Sequence, residues 1–188
     1  VRVGFGCVHN AALVLDDVIA RSDVRRGTRS AWAEFGYGPA ILTSDGLLGE
    51  AFALFSSHDR AMRTVAEAMV ELGEGEATEL AARPSTEAEY MRLARRKTGA
   101  LFRAAAELGA LAGGAEPPAI DAFGAYAERV GVAFQMRDNV LDATADAAYL
   151  GQPTGQDAEM DRPSRPQVPP LTTAELAARP RAQSEPPR

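Results

Sequence analysis

Two groups of acidic residues have the type and spacing of a divalent-cation site. Asp16 and Asp17 are adjacent near the end of an apolar run, and Asp138 and Asp142 lie four positions apart in FQMRDNVLDATAD. Side chains at that spacing share one face of a helix, where like charges repel by about 0.2–0.5 kcal/mol. Carboxylates kept among apolar residues need a compensating cation, and Mg²⁺ prefers one or two of them together with substrate phosphates. The alternative for either group alone is a solvated acidic face.

Basic residues that suit an anionic ligand occur at two places. Arg25 and Arg26 precede Gly27, and Lys97 is the one lysine among the 20 Lys and Arg residues. Each place has an ordinary alternative. The arginine pair suits a turn at a helix end with glycine beyond it, and Lys97 suits a solvated position on a charged helix.

The elements that must position these side chains are predicted to be helices. Ala, Leu, Glu and Arg dominate up to about residue 146, and apolar residues recur at spacings of three and four. We find no alternation typical of strands. Glycines and prolines divide the region into five helices, which we predict to end near residue 20 and to span about 39–55, 57–82, 87–113 and 117–146.

Composition indicates one soluble domain. The chain has 188 residues, 46% of them apolar and 24% charged, which is enough to build a core. Its net charge of −6 argues against nucleic acid or an anionic membrane as the main partner. The single Cys7 excludes an internal disulfide, and we find neither a signal peptide nor an apolar run of about 20 residues. We therefore predict a cytoplasmic protein without stable membrane insertion.

The composition changes after Leu150. From Pro163 on, proline is frequent and aromatic residues are absent. Such a segment buries too little apolar surface to fold. We predict a helical domain over residues 1–157 and a proline-rich, disordered tail over residues 158–188.

Six stretches that carry these acidic and basic residues follow one another in a specific order. They are HNAALVLDDVIARSDVRRG, FGYGPAILTSDGLLGEAF, GEGEATEL, EYMRLARRKTGALFRAAAELGAL, GVAFQMRDNVLD and LGQPTGQD. Each stretch is a weak signal alone. In this order, over almost all of residues 1–157, the chain resembles the trans-isoprenyl diphosphate synthases, or polyprenyl synthetases.

The resemblance implies an all-α bundle of the isoprenoid synthase type around a central cavity. Two acidic motifs would face each other across its mouth and hold Mg²⁺ ions that clamp an allylic diphosphate. Ionisation gives an allylic cation, which the double bond of isopentenyl diphosphate attacks. The metals neutralise charge on the leaving diphosphate, and apolar walls exclude water. Family members commonly pair through helices, so a homodimer, or a heterodimer with a related synthase, is implied as well.

The family's functional positions fall on definite residues of this chain. By resemblance, the metal ligands are Asp16, Asp17, Asp138 and Asp142. The residues implied for the allylic diphosphate are Arg25, Lys97, Thr98 and Gln135, and those for isopentenyl diphosphate are His9 and Arg26. The implied catalytic group is Asp16, Asp17, Lys97 and Asp138. A hydrogen-bonded core histidine is the alternative for His9, and a helix surface acid is the alternative for Glu76 in GEGEATEL.

The chain departs from the family pattern at several positions. Ala20 takes the place of the third acid of the first motif, and Asn139 that of the middle acid of the second. Asp23 would lie about 10 Å along the helix axis from Asp16, too far to substitute unless the helix ends and the loop folds back. Gln152 stands where a diphosphate-binding lysine is expected. An N-terminal Gly-Lys-Arg segment and the C-terminal helices are missing, so we expect a truncated N-terminus and an incomplete bundle.

We expect an enzyme, a prenyltransferase that condenses an allylic diphosphate with isopentenyl diphosphate. Bulky residues before the first acid pair close the cavity floor in the family. Ala11 and Ala12 in those places indicate a product of geranylgeranyl length or longer. A cyclase or diphosphate lyase on the same scaffold is the second hypothesis, since it needs no isopentenyl diphosphate. A catalytically impaired subunit that modulates an active synthase is the third.

Overall fold

The computed structural model describes residues 1–81 and 84–144, without the side chains of residues 142–144. This part of the chain is mostly helical, which confirms the predicted all-α class. Its elements in chain order are α1 (Arg2–Ala20), β1 (Val24–Arg25), β2 (Thr28–Arg29), α2 (Ala31–Phe35), α3 (Tyr37–Phe55), α4 (Asp59–Ala81), α5 (Glu87–Ala94), a π-helical turn (Arg95–Gly99), α6 (Ala100–Ala112) and α7 (Pro117–Thr144).

Helix ends follow local signals in the sequence. Helix α1 ends at Ala20, as predicted, because Arg21 adopts the left-handed conformation with φ of 49°. Helix α5 begins after Thr86, whose hydroxyl accepts a hydrogen bond from the backbone N–H of Glu89 at 3.2 Å. The Glu89 carboxylate accepts in return from the backbone N–H of Thr86, which completes a capping box. Helix α7 begins at Pro117, where a missing backbone N–H costs nothing.

The connection after α1 contains a small hairpin that periodicity did not predict. Strand β1 pairs antiparallel with β2, with Val24 opposite Arg29 and Arg25 opposite Thr28. Arg26 and Gly27 form the turn, and both have positive φ, 52° and 77°. Two such residues make the tight turn whose twist matches that of paired strands. Strands of two residues are too short to show any alternation, which is why the sequence pattern missed them.

A π-helical turn, Arg95–Gly99, divides the fourth predicted helix into α5 and α6. A Cβ atom on Gly75 of α4 would come within 3.0 Å of the Lys97 backbone nitrogen. A Cβ atom on Gly131 of α7 would come within 2.9 Å of the Gly99 Cα atom. Glycine at positions 75 and 131 therefore lets α4 and α7 pack directly against this turn. Such turns are rare and are found mostly at functional sites.

The apolar core holds these elements in place. Its buried members are Val8, Ala51, Phe55, Ala61, Val65 and Leu108. Helix α1 packs on α3, where the buried Ser44 hydroxyl donates to the Ala11 carbonyl oxygen at 3.0 Å. Helix α6 packs against both α4 and α7. The π-helical turn is thus fixed from two sides, and α1 is fixed against α3.

Helix α1 is the one helix in the described part of the chain whose length and mean hydropathy, 1.4, also suit a membrane span. Core helices and signal sequences pass the same test, and 33% of this segment is buried in the structure. Its packing on α3 and its buried Asp17 are features of a core helix. The cytoplasmic location and the absence of membrane insertion stay predictions.

The predicted domain boundary at residue 157 lies outside the described residues. So do the tail over residues 158–188 and Gln152. The division into a helical domain and a tail therefore stays a prediction.

Candidate functional site

The first acidic pair lies near the C-terminal end of α1, where one arginine binds both carboxylates. Arg25 Nη2 lies 2.7 Å from Asp16 Oδ2 and 2.6 Å from Asp17 Oδ1. Arg25 Nε also donates to Asp17 Oδ1 at 2.8 Å. The Asp17 side chain is only 5% exposed, whereas those of Asp16 and Arg25 are 29% exposed. Because a buried carboxylate needs a counter-charge, the ion pair with Arg25 stabilises Asp17 more than it stabilises the more exposed Asp16.

The hairpin explains how Arg25 reaches back to α1. The left-handed Arg21 ends the helix, and the chain then reverses at the turn beyond Arg25. The Ser30 backbone N–H donates to the Asp23 carbonyl oxygen at 2.8 Å, and Trp32 Nε1 donates to the Ser22 carbonyl oxygen at 2.9 Å. These two bonds close the base of the hairpin, so β1 is held beside the end of α1.

Lys97 extends from the π-helical turn into a group of three carboxylates. Its Nζ atom lies 2.5 Å from Glu79 Oε2, 3.4 Å from Asp16 Oδ1 and 3.4 Å from Glu76 Oε1. Asp16 comes from α1, whereas both glutamates come from α4. Lys97 therefore joins the first acidic pair to α4 through charge.

For each of these groups, burial and ion pairing have opposite effects on the pKa. Burial lowers the pKa of Lys97, but the carboxylates of Asp16, Glu79 and Glu76 outweigh burial and raise that pKa overall. Burial raises the pKa of Glu76 despite the nearby Lys97, and it raises the pKa of Asp17 despite the hydrogen bond from Arg25. Lys97 is therefore held in its charged form by its carboxylate neighbours.

A line of neutral hydrogen bonds connects the residue after Lys97 to α7. The Thr98 hydroxyl donates to Gln135 Oε1, and Gln135 Nε2 donates to Asn139 Oδ1 at 2.9 Å. Asn139 Nδ2 then donates to the Tyr90 hydroxyl oxygen at 2.9 Å. Asn139, which by resemblance stands in place of an acid, thus uses both polar atoms of its side chain: Oδ1 accepts within α7, and Nδ2 links α7 to α5.

Asp138 lies one turn beyond Gln135, on the same face of α7. It is half-buried, and burial raises its pKa although Arg137 opposes the shift. The side chain of Asp142 lies outside the described residues. Contacts run from Asp16 to Lys97 and from Thr98 to Gln135, so this line connects the first acidic pair to α7 one turn before Asp138.

His9 lies two turns before Asp16 on α1 and is half-buried. Burial lowers its pKa, and the positive charges of Arg26 and Arg25 lower it further. The imidazole is therefore neutral at pH 7. Arg26 is exposed at the hairpin turn. Together the neutral imidazole and the exposed guanidinium can offer hydrogen bonds to an anionic group.

The place of the missing third acid is buried. Ala20 is 2% exposed, at the last position of α1. The helix ends there and the loop does fold back, as any substitution by Asp23 would require. The side chain of Asp23 is exposed, however, and the charged group that this loop brings to Asp16 is Arg25.

Two residues of this site were not predicted from the sequence, Glu79 and Tyr90. A helix surface acid was the alternative interpretation of Glu76, but its side chain is mostly buried and lies beside Lys97. A signal was present, because Glu79 lies three residues after Glu76 and four after Gly75, spacings that place it on the same side of α4 as each of them. The sequence pattern does not show which element this side of α4 packs against.

The carboxylates suit a hard divalent cation, although they do not form a complete cage. In the part of the chain that the structure describes, no three His, Cys, Asp or Glu side chains are grouped so that they could hold a metal ion. Mg²⁺ takes few protein ligands and completes its shell with water and substrate phosphates. Asp16, Asp17 and Asp138 supply that kind of oxygen. Lys97 and Arg25 now supply the positive charge at Asp16 that a cation would partly replace.

Comparison with family profiles identifies the family of this chain. The profile of the polyprenyl synthetases matches residues 2–183. The chain belongs to the polyprenyl synthetase family. The resemblance in the six stretches is thereby confirmed.

Other polyprenyl synthetases share about a third of its residues. The geranylgeranyl diphosphate synthase of Methanosarcina mazei is 35% identical over 160 residues, which are 80% of this chain and 49% of that protein. The octaprenyl diphosphate synthase of Escherichia coli is 35% identical over 164 residues, 85% of this chain and 51% of that protein. The chain thus spans about half the length of the curated relatives it matches.

Solved structures of polyprenyl synthetases have the same fold. The decaprenyl diphosphate synthase from Rhodobacter capsulatus superimposes with a TM-score of 0.76 at 34% identity, over 85% of this chain and 50% of that one. The polyprenyl synthase from Caulobacter crescentus, complexed with calcium and isoprenyl diphosphate, gives 0.77 at 31% identity, over 82% of this chain and 48% of that one. The isoprenoid synthase fold is therefore confirmed for the described helices.

Proposed function

We propose that this polyprenyl synthetase condenses an allylic diphosphate with isopentenyl diphosphate, assisted by Mg²⁺. The observation that carries the proposal is the line of contacts Asp16–Lys97 and Thr98–Gln135, in a chain that belongs to this family. It joins carboxylates that suit a cation to donors that suit a diphosphate. Relatives named for geranylgeranyl and octaprenyl diphosphates support the substrate class.

Each side chain has a distinct part in the proposed reaction. Asp16 and Asp17 on α1, with Asp138 and Asp142 on α7, are the residues that would hold Mg²⁺. When bound, the ion neutralises negative charge on the diphosphate as it leaves. Lys97 and Arg25 place fixed positive charge next to the same diphosphate. Thr98 and Gln135 orient it through hydrogen bonds.

The bonds change in a definite order. The allylic C–O bond breaks, and the diphosphate leaves with the electron pair. The double bond of isopentenyl diphosphate then forms a C–C bond to the allylic cation, and a proton leaves the adduct to restore a double bond. His9 and Arg26 are proposed to bind the diphosphate of this second substrate, through a neutral donor and a cation. Helix packing excludes water that would otherwise capture the cation.

Product length is proposed to be geranylgeranyl or longer. Ala11 and Ala12 precede the acid pair by about one turn, and both are buried. The small side chains at these positions are proposed to leave the channel open where bulkier residues would close it. Some relatives are named for geranylgeranyl and octaprenyl diphosphates, which supports this choice, whereas others are named as short-chain synthases. We also propose, from the sequence, that the chain pairs with a second copy or with a related synthase, and that it is cytoplasmic.

The test is a product assay with defined substrates. The chain is incubated with farnesyl diphosphate and labelled isopentenyl diphosphate, with and without Mg²⁺. We expect longer labelled prenyl diphosphates only when Mg²⁺ is present. Asp16→Asn should lower the rate by about 100-fold, since it removes a charged ligand of the cation that would neutralise the leaving diphosphate. Asp121→Asn, at the exposed ion pair with Arg60, is the matched control and should leave the rate unchanged.

Other outcomes of the same assay identify the rival functions. A hydrocarbon formed without isopentenyl diphosphate would replace the proposal with a cyclase or lyase. No product from the chain alone, together with an altered product length when it is mixed with an active synthase, would replace it with a modulating subunit.

A further inference from the structure

The three carboxylates around Lys97 share its charge unequally. Glu79 Oε2 is 2.5 Å from the ammonium nitrogen, whereas Asp16 Oδ1 and Glu76 Oε1 are both 3.4 Å away. A contact of 2.5 Å is a charge-assisted hydrogen bond, and a separation of 3.4 Å is a weaker ion pair. Within this group, Lys97 therefore makes its shortest contact with α4, and it keeps a longer ion pair with Asp16 of α1.

The backbone arrangement forces this preference. Gly75 lets α4 approach the π-helical turn so closely that Glu76 and Glu79 reach the lysine from the adjacent turn of the helix. Both glutamate side chains are mostly buried, at 14% and 12% exposure. The second oxygen of Glu76, Oε2, is buried without a hydrogen-bond partner among the described residues. A carboxylate in that state depends on its lysine partner, so the α4 pair attracts Lys97 strongly.

Asp16 is the acid for which a lysine and a divalent cation compete. Its Oδ2 atom is bound by Arg25 and its Oδ1 atom faces Lys97. A cation that approaches Oδ1 must overcome the repulsion of the ammonium group. That repulsion falls as the ammonium is drawn towards α4.

We propose that Glu76 and Glu79 are positioning residues that draw the Lys97 ammonium away from Asp16, which keeps Asp16 available to the divalent cation. This inference rests on the proposed function, because it concerns the same cation site. Glu79 has the larger part, since it makes the shortest contact. Without its charge, Lys97 turns to Asp16 and blocks the oxygen that the cation needs.

The inference is tested by direct cation binding to the 188-residue chain, without substrate and without turnover. Mn²⁺ is the probe, because its free form is counted by electron paramagnetic resonance. We expect Glu79→Gln to weaken Mn²⁺ binding by about tenfold, the usual size for a residue that acts through a ligand. The matched control is Glu74→Gln. Glu74 is an acid of the same helix, and its partner is the more exposed Arg96. It should change the affinity less than twofold.

Two further variants separate positioning from simple loss of negative charge. In a Lys97→Met background, Glu79→Gln should no longer weaken Mn²⁺ binding, because no ammonium remains to block Asp16. If it still weakens binding tenfold there, the effect does not act through Lys97 and the inference is wrong. Glu79→Asp keeps the charge and should retain most of the wild-type affinity. A loss as large as that of Glu79→Gln would contradict the inference as well.

The wild-type chain separates failure of the positioning role from failure of the proposed function. If it binds Mn²⁺ and Glu79→Gln binds equally well, the positioning role is refuted and the proposed function stands. If the wild type binds no Mn²⁺ without substrate, the positioning role is refuted, and the product assay with and without Mg²⁺ decides the proposed function. Circular dichroism at 222 nm verifies that every variant compared has the helical content of the wild type.

Discussion

The two acidic motifs of this chain are stabilised by different kinds of interaction. At the end of α1, Asp16 and Asp17 are paired with two cationic side chains, Arg25 and Lys97. On α7, the residue next to Asp138 is the neutral Asn139, which takes part in a line of uncharged hydrogen bonds. One motif is thus organised by charge, and the other by amide and hydroxyl groups.

This difference has consequences for metal binding and for stability. Removing a charge from the first motif leaves a buried partner without its counter-charge, which is expensive. Removing a donor or acceptor from the second leaves one neutral group unsatisfied, which costs less. Conversely, the second motif can accept an added charge more easily, since Asn139 occupies the place of an acid.

The largest effect is expected at Arg25. Arg25→Leu leaves the buried Asp17 carboxylate without its main partner, and should lower the free energy of unfolding by about 3 kcal/mol. Thermal or urea unfolding measures the change. Arg29→Leu is the matched control on the other strand of the hairpin, where the ion pair with Glu34 is exposed. That substitution should cost less than about 1 kcal/mol. Equal losses in the two variants would remove the distinction between the buried pair and an exposed one.

A smaller effect is expected at Tyr90. Tyr90→Phe removes the oxygen that accepts from Asn139 Nδ2 and should cost about 1 kcal/mol of stability. Because the line continues through Gln135 to Thr98, KM for the allylic diphosphate should rise while kcat changes little. Tyr126→Phe, at an exposed position of α7, serves as the control. If both tyrosines behave alike in unfolding and kinetics, the hydrogen-bond line has no role in the site.

The smallest change sharpens the contrast between the motifs. Asn139→Asp restores an acid beside Asp138, and the Tyr90 hydroxyl can donate to it instead of accepting. We expect the stability to change by less than about 1 kcal/mol and the Mg²⁺ affinity to rise a few-fold. Isothermal titration with Mg²⁺ measures the affinity. A strongly destabilised variant would mean that the second motif tolerates charge no better than the first.

Helix periodicity and recognisable stretches accounted for much of the fold. The end of α1 at Ala20, the end of α3 at Phe55 and the start of α7 at Pro117 agree with the predictions, because proline and local backbone geometry set those boundaries. The hairpin and the π-helical turn were missed, since neither is long enough to leave a period in the sequence. Both turn out to position charged side chains.

The site was predicted only in part, for a related reason. Lys97, Arg25 and Asp16 could be found because their residue types are distinctive in their stretches. Glu79 and Tyr90 could not, since an acid or a tyrosine on a helix has no meaning until the facing helix is known. Tertiary packing through Gly75 decides that contact, and a linear pattern contains no information about it.

The most direct test of the account is whether a prenyl diphosphate requires the cation in order to bind. The chain is titrated in a calorimeter with farnesyl thiolodiphosphate, an analogue that ionises slowly, with Mg²⁺ and with EDTA. The account predicts saturable heat with Mg²⁺ and at least about tenfold weaker binding without it. Equal binding under both conditions, or none under either, would contradict it.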